Sequence, residues 1–176
     1  QVEMADLEEA VDRVIGGLER RSRVLSEKER DIVAHHEIGH ALVASSLPHA
    51  DPVHKVTIIP RGVGALGATY QLPLEDRYLL TRSELEDRIA VLLGGRAAEE
   101  IHFGHITTGA SNDLERCTAI AHAMVTKYGM SEKLGLRVYG EEQHELFFGR
   151  SMGGNRDYSE EAARAIDEEV SQMITS

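Results

Sequence analysis

One pentapeptide constrains this chain more than any property of its composition: His36-Glu37-Ile38-Gly39-His40, an H-E-x-x-H motif. Ser26 followed by Glu29 has the form of a capping box and predicts a helix over about 27–46, ended near Pro48 and Pro52. Four residues advance an α-helix by about 400°, so both imidazoles project from one face, a turn apart. That spacing suits two nitrogens at about 2.0–2.1 Å from one Zn²⁺. Glu37 lies beside the first histidine and can reach a metal-activated water without ligating the metal. The pKa of such a water falls to about 7, and a carboxylate placed there takes its proton. Ile32, Val33, Ala41, Leu42 and Val43 are apolar and predict a buried setting. The competing reading is a chance match with two ordinary histidines. Burying a glutamate and two histidines without pairing or ligation is costly, which favours the metal.

A catalytic site of this kind needs a third protein ligand and an open position. The extension to H-E-x-x-H-x-x-G-x-x-H fails, because Val43 stands at the glycine position and Ser46 at the histidine. The site is therefore not of the metzincin type. Candidates lie downstream: Glu99, Glu100, His102, His105 and Asp113, with Cys117 as a soft alternative. Each has an ordinary reading as well. The glutamates can be supporting or surface acids, the histidines loop residues, and Asp113 a first-turn acid favoured by the helix dipole. Cys117 can be a small core residue. Spacing leaves the choice open.

Around the motif, periodicity predicts a mainly α domain of the α+β kind, helical and zincin-like, with a patch of two or three strands. Met4, Leu7, Val11, Ile15 and Leu18 recur at helical spacing and predict a first helix over 3–18. A polar run with Arg20, Arg21 and Arg23 then reads as a linker. Strands are expected at 53–59 and 65–72, separated by a turn with Gly62, Gly64 and Gly67. A third helix, capped by Thr81 or Ser83, runs to about Phe103 with Leu85, Ile89, Leu92 and Leu93 on one side. Gly94-Gly95 inside it costs about 1 kcal/mol each against alanine, a cost that close approach of another helix would offset. A fourth helix is expected over 112–128, then an irregular Gly-rich stretch to about 155. Ser159 opens a last helix with Ile166, Val170 and Met173 on one face.

Composition bounds the function. At 176 residues and 41% hydrophobic, the chain holds one domain or one domain with a short appendage. A net charge of -11 repels phosphate backbones and argues against nucleic acid as a partner. Part of the excess is local: residues 157–176 hold six acids against Arg164, which reads as a solvated helix face. A single cysteine forms no internal disulfide and fits a reducing compartment. The longest stretches free of Asp, Glu, Lys and Arg, 38–50 and 62–74, are 13 residues each, short of the roughly 20 a spanning helix needs. A soluble piece is expected, and the start at Gln1 suggests one cut from something longer.

Further blocks carry a family likeness. Gly94-Gly95-Arg96-Ala97-Ala98-Glu99-Glu100, then Thr107-Thr108-Gly109-Ala110-Ser111-Asn112-Asp113-Leu114, together with the H-E-x-x-H helix, resemble the peptidase domain of FtsH-type AAA+ zinc metalloproteases. Val53-His54-Lys55-Val56-Thr57-Ile58-Ile59-Pro60-Arg61-Gly62, Tyr128-Gly129-Met130-Ser131 and Ile166-Asp167-Glu168-Glu169-Val170 extend the likeness over nearly the whole chain. The resemblance implies His36, His40 and Asp113 as zinc ligands and Glu37 as catalytic base, with Glu99 or Glu100 supporting a zinc histidine. It implies residues 1–24 as the tail of a preceding ATPase lid helix with its linker, and 25–176 as the zinc metallopeptidase domain. It also implies a membrane-anchored homo-hexamer that degrades unfolded, misfolded or extracted proteins, this domain facing the cytoplasm or an organelle's matrix or stroma. No G-x-x-x-x-G-K-[ST] loop occurs, so ATP and Mg²⁺ belong to a missing part, as do the membrane segments. The family usually continues past the position of Ser176. Two positions depart from its pattern: Ile38 stands where a small residue is usual and is expected to alter packing behind the site, and His35 replaces an aromatic, adding a stray ligand. The rival functions are a non-catalytic zinc-binding scaffold and a helical oligomerisation module. Retention of Glu37 counts against the first, since a structural metal needs no carboxylate there.

Overall fold

The structure, a computed structural model, describes residues 2–17, 25–60, 66–73, 78–140 and 158–176. The arginine-rich linker, Gly62, Gly64 and Ala65 of the expected turn and strand, and the Gly-rich stretch from 141 to 155 lie outside the described residues. Helix α1 spans Met4–Gly16, α2 Glu27–Ser46, α3 Arg82–Phe103, α4 Ser111–Thr126 and α5 Glu160–Thr175; strands β1 and β2 span Val53–Thr57 and Ala68–Gln71. A short 3-10 turn, Thr108–Ala110, leads directly into α4.

The helix starts are local chemistry. Ser26 Oγ accepts the Glu29 N–H at 3.2 Å while Glu29 Oε2 accepts the Ser26 N–H at 2.9 Å, closing the expected capping box. Thr81 and Glu84 make the same reciprocal pair at the start of α3. Ser159 Oγ accepts the Ala162 N–H to open α5. Helix α3 ends at Gly104, whose φ of +67° is a left-handed cap that a side chain would strain.

The core lies between α3, α4 and α5. Leu85, Ile89 and Leu92 meet Cys117, Ala121, Met124 and Val125, and Ile166 and Val170 close the layer, with Tyr139 beside them. Helix α2 packs along α3 on its other side, and the β1–β2 sheet lies against α2. The two strands pair antiparallel, Val56 opposite Thr69 and Thr57 opposite Ala68, with an irregularity between Val53 and Lys55. Both are shorter than the sequence predicts. The Ile59 N–H donates to Thr57 Oγ1 at 3.1 Å and leaves the ladder, and Ile58 and Ile59 are left partly exposed. Two strands are present among the described residues, at the lower end of the expected two or three. No helix of the described residues is long and apolar enough to cross a membrane.

The α2–α3 crossing is a backbone contact. A Cβ at Gly94 would lie 2.8 Å from the Gly39 carbonyl oxygen, and one at Gly39 would run into the Gly94 carbonyl and lie 2.7 Å from Ala98 Cβ. The expected close approach at Gly94 therefore has its partner in the middle of the H-E-x-x-H motif.

Candidate metal centre

His36 and His40 both point from α2 toward α3 and are buried. Their Nδ1 atoms are engaged first. His36 Nδ1 lies 2.6 Å from Glu99 Oε1, and His40 Nδ1 lies 2.7 Å from the Val91 carbonyl oxygen. A carboxylate and a carbonyl only accept, so each Nδ1 carries the proton and each Nε2 keeps its lone pair. Those two Nε2 atoms face each other at 3.0 Å. Asp113, in the first turn of α4, brings Oδ2 to 3.2 Å from His36 Nε2 and 3.5 Å from His40 Nε2.

Three electron-pair donors converging in this way repel unless a cation lies among them. Ligands of a tetrahedral zinc at 2.0–2.1 Å stand about 3.3–3.4 Å from one another, close to the three separations here. Without a metal, a proton must serve instead. Burial acts to lower the His36 pKa, but hydrogen bonds to Asp113 and Glu99 outweigh it and hold the pKa above the ordinary value. Burial would likewise raise the Asp113 carboxyl, yet its bonds with His36 and His40 hold it well below the usual carboxylate range. Gly95 keeps the convergence open: a Cβ there would fall 2.6 Å from Nε2 of both histidines. The residues present thus fit a borderline cation such as zinc.

Glu37 is buried next to this cluster. Its carboxylate Oε2 and its own carbonyl oxygen both lie 2.9 Å from Thr69 Oγ1 on β2, so one hydroxyl is shared between two acceptors. Gly67 packs flat on the side chain, with room for a Cβ denied by Glu37 Cγ and Oε1, each 2.8 Å away. Burial pushes the Glu37 pKa up against the lowering pull of Thr69 and the histidines. A carboxylate so placed is poised to accept and return a proton.

Among the open candidates, the structure brings Asp113 to the histidines and puts Glu99 behind His36. Glu99 is 1% exposed, and its second oxygen accepts the Thr107 N–H at 2.8 Å. Glu100 is exposed and takes no part. His102, in the last turn of α3, stacks on His35 of α2 and stays apart from the His36–His40–Asp113 cluster, and Phe103 stacks on His105. Cys117 is buried in the core, where burial raises its thiol pKa, so it is no ligand here. Ile38 does not pack behind the site: it is 47% exposed, because position 38 lies about 100° around α2 from Gly39, the residue that meets Gly94, and Leu42 beyond it is 64% exposed. The sequence offered no signal for Thr69 or for the Val91 carbonyl, and marked Gly67 only as a turn residue.

The sequence profile of peptidase family M41 matches residues 23–176. The chain is 56% identical over 175 residues to the ATP-dependent zinc metalloprotease FtsH of Pseudothermotoga lettingae, covering 99% of this chain and 28% of that protein. The proteins of the same name from Syntrophobacter fumaroxidans and Thermotoga maritima are 57% and 52% identical over 99% and 100% of this chain, and 27% and 29% of their own lengths. The chain therefore spans under a third of the curated relatives it matches. On a profile that covers most of its length and relatives above half identity, the chain belongs to peptidase family M41, as an FtsH-type peptidase domain.

Proposed function

We propose that this domain is the zinc endopeptidase part of a longer, ATP-dependent protease. In this reading His36, His40 and Asp113 hold the zinc and Glu37 is the general base. The observation that carries it is the convergence of His36 Nε2, His40 Nε2 and Asp113 Oδ2 within 3.5 Å, with Glu37 buried beside them. When bound, zinc supplies a Lewis acid for the scissile carbonyl and lowers the pKa of water to about 7. The protein's own residues do the rest. Glu37 accepts the proton of the attacking water at its carboxylate and returns a proton to the leaving amine. Thr69 and Gly67 hold that carboxylate in place during both transfers. Among the described residues β2 pairs only with β1, and its other edge offers main-chain groups to an extended substrate.

In the same reading, residues 1–24 are the tail of an ATPase lid helix with its linker and 25–176 the peptidase domain. The profile match beginning at residue 23 supports that boundary. The exposed apolar residues Met4, Leu7 and Val11 on one side of α1 support a partner for that helix in the longer protein. The full-length protein would be a membrane-anchored homo-hexamer that feeds unfolded or extracted proteins to six such sites, with ATP and Mg²⁺ handled elsewhere in it.

The test uses the isolated domain with one tightly folded protein and its unfolded variant, each with and without ATP and chelator. A folded substrate of ordinary stability, about 5–15 kcal/mol, rarely presents an extended segment. Slow cleavage of the unfolded form alone, abolished by chelator and indifferent to ATP, is expected. Equal cleavage of both forms, or stimulation by ATP, would overturn the division of labour. Retention of full zinc in the His40→Ala protein would overturn the ligand assignment.

A further inference from the structure

We propose a second metal site, made by Asp31, His35 and His102, that takes a divalent first-row transition ion and clamps the outer ends of α2 and α3. The three side chains offer ligand atoms that all lie within 4.8 Å of one another, and none of them belongs to the His36–His40–Asp113 cluster. Asp31 and His35 stand four residues apart on α2, so they share a face of the helix. Asp31 Oδ1 is already 3.3 Å from His35 Nδ1, the separation of two ligands on one tetrahedral ion. His102 comes across from the last turn of α3 and stacks its ring on His35, centroids 3.8 Å apart and planes 20° from parallel. Phe103 meets both rings edge-on and walls one side.

Two adjustments would complete the site, and both are cheap. The near-parallel rings must splay so that their lone pairs converge. His102 is exposed, and among the described residues its ring nitrogens show no hydrogen bond, so only its ring contacts with His35 and Phe103 resist the turn. His35 Nδ1 must give up its 2.9 Å bond to the Asp31 carbonyl. That oxygen faces the helical N–H of residue 35 in any case, so it is not left unpaired. Two imidazoles with one carboxylate select zinc, nickel, cobalt or copper over calcium or magnesium, which want more oxygen ligands. The position has a consequence. His35 precedes His36, and His102 lies one turn beyond Glu99, so an ion here ties together the two helices whose contact places His36 on Glu99.

The experiment is zinc titration of protein already loaded with one equivalent, followed by dialysis and metal analysis, with a thermal melt at each point. The parent chain should reach two zinc ions, the second bound more weakly, and its melting midpoint should rise again as the second site fills. His102→Ala and His35→Phe should both stop at one. The phenylalanine keeps a ring against His102 and removes only the nitrogen, so a stacking role alone would survive it. His40→Ala should keep the outer ion while losing the inner one. A parent that stays at one zinc under excess metal overturns the proposal, as does a His102→Ala protein that still holds two. Loss of the inner ion assignment would show in His40→Ala alone, so the two readings fail separately.

Discussion

Glu99 Oε1 stands 2.6 Å from His36 Nδ1, and this contact joins residues 63 positions apart in the chain across the α2–α3 interface. The carboxylate does two jobs at once. One oxygen fixes the tautomer and the ring plane of His36, and the other holds the Thr107 N–H at the turn that delivers Asp113. Glu99 thus connects two of the three converging donors without touching the point where they meet.

Replacing Glu99 by Gln is expected to weaken zinc binding by roughly 10- to 100-fold, the usual cost of losing a residue that orients a metal-bound histidine. Glu100→Gln, one residue on and solvent-facing, should leave affinity unchanged. Competition with a chelator of known affinity measures both. Equal loss in the two variants would mean that general acidity of α3, and not the contact with His36, sets the affinity.

Glu37→Gln keeps the shape of the base but cannot accept a proton, so zinc should stay bound while hydrolysis falls by roughly 10²–10⁴-fold. Thr69→Val removes only the hydroxyl that holds the Glu37 carboxylate. Its expected effect is a drop of roughly tenfold in kcat, the kinetic equivalent of about 1.4 kcal/mol, close to the low end of the roughly 1.5–3 kcal/mol for one hydrogen bond to a charged group. KM and zinc content should be unaffected, and Thr69→Ser should restore the rate. A Thr69→Val enzyme with raised KM and normal kcat would place Thr69 in substrate binding instead.

Gly95→Ala places a methyl 2.6 Å from Nε2 of His36 and His40, and those rings are tethered at Nδ1 and cannot swing away. Loss of zinc with a modest loss of stability is expected. Gly94→Ala meets the Gly39 carbonyl, a backbone atom, and should destabilise the fold by about 1–3 kcal/mol through overpacking. Metal analysis and denaturant titration of the two variants separate the effects. Full zinc in Gly95→Ala would show that the histidine tips are free to rearrange.

Metal-free protein should lose stability as pH rises through neutrality. The folded pKa of His36 is raised, so its stabilisation is complete below the ordinary value of 6.5 and is lost as pH climbs through the folded value. The Glu37 pKa is raised by burial, so ionising it above its ordinary 4.5 costs stability too. Asp113 runs the other way: its stabilisation is present above 3.8 and fades only in stronger acid. Zinc binding, in contrast, strengthens with pH because its ligands must be deprotonated. The difference in melting midpoint with and without zinc should therefore widen from about pH 5.5 to about pH 8. A constant difference over that range would mean the cluster does not titrate as its hydrogen bonds require.

The helices were legible in the order of residues because their causes are local. Ser26 with Glu29, Thr81 or Ser83, and Ser159 before an apolar period each mark a helix start within a few positions, and all three starts are realised, with Thr81 as the cap of α3. The pair His36 and His40 was legible for the same reason, since one turn of helix sets their geometry. The third donor was not legible from spacing, and Asp113 was singled out only by the family resemblance. Glu99, Glu100, His102, His105 and Asp113 are equivalent to any argument from spacing, and only the packing of α3 against α2 and of α4 against α3 brings Asp113 to the histidines, puts Glu99 behind His36, lays His102 on His35 and leaves Glu100 exposed. Thr69, Gly67 and the Val91 carbonyl act on residues 30 or more positions away, and a backbone carbonyl has no letter of its own in the sequence. Ile38 shows the limit from the other side: its identity suggested burial, but the Gly39–Gly94 crossing sets which face of α2 meets α3 and leaves position 38 toward solvent. Local structure follows from neighbours along the chain, whereas the site is assembled by contacts between elements, and those exist only once the helices have docked.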